Sequence, residues 1–76
     1  MIIAKSEKIE AARGALGWSQ QTELAKQSGL SRARVSVIEN GRESTAAQTA
    51  KKICDALDKS FDELFMIVPK GKEREA

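Results

Sequence analysis

The amino-acid sequence predicts an all-α fold, a compact five-helix bundle, on three observations. Apolar residues recur at spacings of three and four along most of the chain. Each such run is preceded by a small polar residue, and all but the fourth are followed by a glycine or proline, the start and stop signals of helices. No stretch alternates apolar and polar residues in the manner of a half-buried strand, so no strand is expected. With 76 residues, one domain can bury only about 60% of its unfolded surface, and its core must be economical.

The first helix is expected from Ser6, with Ile9, Ala12 and Leu16 on its inner face and Gly17 as its stop. Ser19 is placed to cap a second helix, about residues 20–28, with Leu24 and Ala25 inward and Gly29 closing it. Ser31 caps the third, about residues 32–40, which buries Val35 and Ile38 and ends at Asn40-Gly41. Thr45 and Gln48 have the spacing of a capping box for the fourth, whose Ala50, Ile53, Cys54 and Leu57 share one face. Ser60 and Glu63 repeat that box at the fifth, in "SFDEL", and Pro69 forbids continuation. Residues 1–68 then form the domain, and 69–76, mixed in charge and without an apolar period, form a flexible charged tail.

Composition removes several classes of function. The chain has no histidine and one cysteine, Cys54, so it lacks the commonest general base, the commonest metal ligand and any intrachain disulfide. No pair of carboxylates stands out from ordinary helix-surface charge. The expectation is a protein that is not an enzyme and has neither cofactor nor metal. The first residues, "MIIAKSEK", hold too short an apolar run for a secretory signal, and no segment approaches the roughly 18 apolar residues of a membrane span. A cytoplasmic location without a membrane partner is therefore expected. Cys54 and Trp18 are read as core packing.

Charge is uneven. The formal net charge is +2, yet residues 13–42 hold five cations (Arg13, Lys26, Arg32, Arg34, Arg42) against Glu23 and Glu39. A basic centre in a near-neutral chain suits local contact with a polyanion. Within it, the third helix starts with Arg32 and Arg34, although a helix N-terminus is the positive end of the macrodipole and favours acids. The fifth helix obeys that rule with Asp62 and Glu63. On a wheel stepped at about 100° per residue, the face opposite Val35 and Ile38 carries Ala33, Ser36, Val37 and Asn40, flanked by the two arginines. Glu39 leans toward the core edge, where a carboxylate needs a partner. Small side chains let a backbone approach closely. Arginine forks donate to phosphate or to guanine O6 and N7, and Val37 suits a thymine methyl. These are the requirements of a helix lying in the major groove.

The second and third helices are joined by the short turn "GLS", with Ala25 small enough for a helix crossing and Leu30 filling beneath it. Leu24, Ala25, Gly29, Leu30, Val35 and Ile38 make a helix-turn-helix pattern. The string "GWSQQTELAKQSGLSRARVSVIENGR", with "KKICDALDKSFDELF" beyond it, resembles the phage repressor and Cro family, also called Xre-like. The resemblance runs from Ile9 to about Phe65 and implies a lambda-repressor-like DNA-binding domain. It also implies roles. Gln20 would touch the DNA backbone. Arg32, Ala33, Ser36 and Val37 would read bases, with Arg34 on base or phosphate. Asn40, Gly41 and Arg42 would contact phosphates, and Arg13 would pair with Glu39. Family members often carry proline where Thr45 stands and glutamine where Arg32 stands; a glutamine would favour adenine, whereas the arginine here favours guanine.

The implied function is a sequence-specific transcriptional regulator, a repressor of a palindromic operator, binding double-stranded DNA as a homodimer with no small-molecule effector. Two alternatives stay open. One is a small activator–repressor controller of a restriction–modification or phage-like operon. The other is a protein-interaction module of antitoxin type, and the apolar run 65–68 would serve contacts in either dimer or partner.

Overall fold

The computed structural model describes residues 1–41 and 43–69. Five helices are present: α1 (Ser6–Ala15), α2 (Gln21–Ser28), α3 (Arg32–Asn40), α4 (Ala47–Leu57) and α5 (Phe61–Leu64). They account for the all-α class. Two three-residue strands, β1 (Ile2–Ala4) and β2 (Phe65–Ile67), frame them and overturn the expectation of no strand. The strands pair antiparallel, Ile2 with Ile67, Ile3 with Met66 and Ala4 with Phe65. Both runs are too short to show a period, and only their distant pairing makes them strands.

The core forms where α1 to α5 and the sheet converge. Ile9, Leu24, Val35, Ile53, Leu57, Leu64 and Phe65 are its largest fully buried side chains. Burial of one such aliphatic or aromatic side chain contributes about 1.5–3 kcal/mol. α4 buries Ala50, Ile53, Cys54 and Leu57 as the periodicity requires. Trp18 and Leu30 are half-buried against this cluster. Burial pushes the Cys54 thiol above its ordinary value, and the neighbouring Asp55 carboxylate adds to that, so the thiol is kept protonated.

Several local expectations are corrected. α1 stops at Ala15, one residue short of Leu16, which is left 46% exposed rather than buried. The Gly17 amide closes that end onto Gly14 at 2.9 Å, with Gly17 in the left-handed region. α2 begins at Gln21 with Gln20 at its N-cap, so Ser19 is not the cap and no side chain caps this end. The N-cap of α4 is Ala46. Thr45 is instead drawn into the core edge, where its amide donates to the Ile2 carbonyl at 2.8 Å. Proline has no N–H for that bond, which gives a physical reason for the departure from the family at this position. Ser60 does sit at the N-cap of α5, but no side-chain cap bond forms there. The run 65–68 is divided between core and surface, with Phe65 buried and Met66 and Ile67 exposed. Of the segment expected as a tail, residues 70–76 lie outside the described residues, as does Arg42.

Candidate nucleic-acid interface

The site is built on the turn between α2 and α3. Gly29 ends α2 at φ 77°, a left-handed conformation that costs glycine least. The Leu30 amide then returns to the Ala25 carbonyl at 3.0 Å, tightening the turn. Among the described residues, Ser31 is the one N-cap whose side chain is engaged: its hydroxyl oxygen accepts from the Arg34 amide at 3.1 Å. Val35 and Ile38 seat α3 in the core, and Gly41 closes it at φ 68°.

The outward face of α3 is open. Arg32, Ala33, Arg34 and Asn40 are exposed, while Ser36, Val37 and Gly41 are half-buried. Among the described residues, neither the Arg32 nor the Arg34 guanidinium makes a hydrogen bond or ion pair. Two cations therefore stand beside the positive end of the helix with no acid to offset them, since the first turn of α3 holds none. That assembly attracts an anion three ways, through the amide dipoles and through two guanidinium forks. Gln20 is exposed at the head of α2.

Behind α3, one polar cluster sets its position. Glu39 is 4% exposed, and Arg13 Nε donates to its Oε2 at 3.1 Å. Arg13 Nη2 donates to Oε1 at 3.4 Å, and Arg13 Nη1 donates to the Trp18 carbonyl at 2.9 Å. Gln21 Nε2 adds a donor to Glu39 Oε1 at 3.4 Å, and the Ser6 hydroxyl donates to the Glu39 carbonyl. Arg13 thus links α1, the loop before α2 and α3 through one planar group. Its fixed fork suits a buried carboxylate better than a lysine would. Sequence reasoning missed Gln21 and Ser6. Neither residue has a spacing that separates it from ordinary helix surface, and only the folded arrangement brings them to Glu39.

The described residues bring together all the residues singled out on α3, whereas Gln20 lies apart on α2 and Arg42 is not described. Among the described residues there is no group of three or more cysteine, aspartate or glutamate side chains that could hold a metal. Among the described residues, no helix is long and apolar enough to cross a membrane.

No curated protein and no solved structure matches the chain. The family pattern described as helix-turn-helix matches residues 9–64 of the 76, from the core residue Ile9 through α5. That span contains the capped α3, the left-handed turn ahead of it and the Arg13–Glu39 pair behind it. The chain belongs to the Xre-like helix-turn-helix family of phage repressor and Cro type, and it is a DNA-binding transcriptional regulator.

Proposed function

We propose that the chain represses transcription by occupying a palindromic operator as a homodimer, with α3 of each copy in the major groove. The observation that carries this reading is the low ridge of Ala33, Ser36 and Val37 between the Arg32 and Arg34 guanidinium groups, neither of which is paired among the described residues. Arg32 and Ala33 read base edges at the helix N-terminal end, and Ser36 and Val37 read them one turn later. Arg34 reaches base or phosphate. Gln20, Asn40, Gly41 and Arg42 hold the sugar–phosphate backbone and set the register without specifying sequence. The Arg13–Glu39 pair orients α3 from behind. A twofold dimer puts two half-sites about one helical turn apart. The protein acts in the cytoplasm, on the nucleoid when bound to DNA.

Selection from random duplexes followed by a salt titration on the selected site tests this. Arg32→Ala is expected to cost about 1–3 kcal/mol on that site and to relax base choice at one position. Uniform weakening across all sequences would remove Arg32 from base reading. Absence of salt-dependent duplex binding by the unaltered chain would favour the protein-interaction module instead.

A further inference from the structure

The two edges of the small sheet differ. Main-chain bonds between the strands join Met1 to Val68 in both directions at 2.7 Å, and the Lys5 amide to the Leu64 carbonyl at 2.7 Å. By the alternation of an antiparallel pair, Phe65 and Ile67 turn their amide and carbonyl groups away from β1. The Phe65 amide is given to the Phe61 carbonyl. Among the described residues, nothing pairs with the Ile67 amide or carbonyl. The outer edge of β1, by contrast, is covered where the Ile2 carbonyl accepts from Thr45.

The uncovered edge is also apolar. Ile67 is 71% exposed and Met66 44%, with Met1 beside their strand partners. Residues 65–69, "FMIVP", carry no charge. Natural edge strands are usually guarded by a lysine, a bulge or a covering segment. β2 shows neither charge nor cover among the described residues.

We propose that a second copy of this chain docks on the β2 edge, the two sheets joining about a twofold axis into one four-stranded antiparallel sheet. The occupant follows from charge, closure and register. An uncharged strip meets its own copy without repulsion and offers a charged partner nothing to pair with. Among the described residues each copy has one open edge, so pairing stops at two and does not continue into a filament. A twofold beside Ile67 sets its amide and carbonyl against the same groups of the second copy. Pro69, which has no N–H, then falls opposite Phe65, whose amide is already engaged, so the ladder ends there on both sides. A strip this short buries less than the roughly 800 Å² per partner of a standard interface. The dimer is accordingly weak in free solution and completes itself on two adjacent half-sites. That last step rests on the operator reading above.

Sedimentation equilibrium of the full chain without DNA, over a wide concentration range, tests the docking. A monomer–dimer equilibrium is expected, and Ile67→Lys is expected to move its midpoint to at least about tenfold higher concentration. Far-UV circular dichroism and Tm should stay unchanged, because the Ile67 side chain is mostly exposed. Leu16→Lys, at a large exposed apolar side chain outside the sheet, should leave the equilibrium where it is. A chain that stays monomeric throughout, species larger than a dimer, or Ile67→Lys pairing as well as the unaltered protein would each overturn the proposal. Titration on a duplex with a single half-site separates the two readings. Ile67→Lys should bind it as the unaltered chain does, and failure of both to bind would sink the operator reading while leaving the dimer result standing.

Discussion

Glu39 and Thr45 show how two buried polar groups fare differently at the level of the single residue. The Glu39 carboxylate lies under the ridge of α3 with donors from Arg13 and Gln21, so its removal from water is offset by hydrogen bonds. Thr45, also 4% exposed, has its amide satisfied, but among the described residues its Oγ1 has no partner. A buried hydroxyl without a partner costs about 1–3 kcal/mol of desolvation. Thr45→Val keeps the shape and the amide while removing that oxygen. It should therefore raise stability by about 1 kcal/mol, seen as a higher denaturant midpoint with an unchanged slope; a lower midpoint would mean that Oγ1 is satisfied in solution.

At the level of the element, α3 trades stability for binding. Helix α1 has Glu7 in its first turn, α2 has Glu23 and α5 has Asp62 and Glu63, whereas α3 has Arg32 and Arg34. Local rules are broken where function demands it. Arg34→Glu replaces an unfavourable charge with a favourable one while keeping the Ser31 cap, which uses the backbone amide. The free protein should gain about 1 kcal/mol, readable as a higher Tm, while affinity for duplex DNA falls and its salt slope flattens. Lower stability together with lower affinity would mean that Arg34 supports the fold rather than the ligand.

For the whole molecule, the strands matter more than their six residues suggest. β1 and β2 join the beginning of the described chain to its end, and β1 lies against the C-terminal end of α3. A Cβ at Gly41 would stand 3.0 Å from the Ala4 carbonyl oxygen, and Gly41 sits at φ 68°. The recognition element is thus held at its far end by a strand it does not neighbour in sequence. Gly41→Ala combines left-handed strain of about 1–2 kcal/mol with that close approach to backbone. Thermal unfolding should show a loss of at least this size, and an unchanged Tm would show that the strand yields freely.

The sequence by itself determined the helices and the surface of α3, because both depend on short-range regularities. The three-and-four spacing of Val35 and Ile38, the Ser31 cap and the glycine stops all act within one or two turns. Helix periodicity then places Ala33, Ser36 and Val37 opposite the core without reference to any other element. The fit of Arg13 to Glu39 was legible only through family resemblance and an acid on the wrong side of a wheel. Tertiary structure alone decided the rest. Thr45 reads as a cap until the Ile2 carbonyl claims its amide, and Ile2–Ala4 and Phe65–Ile67 read as loose apolar ends until they meet. The reason is that a strand owes its hydrogen bonds to a partner about sixty residues away, whereas a helix finds them four residues away within itself.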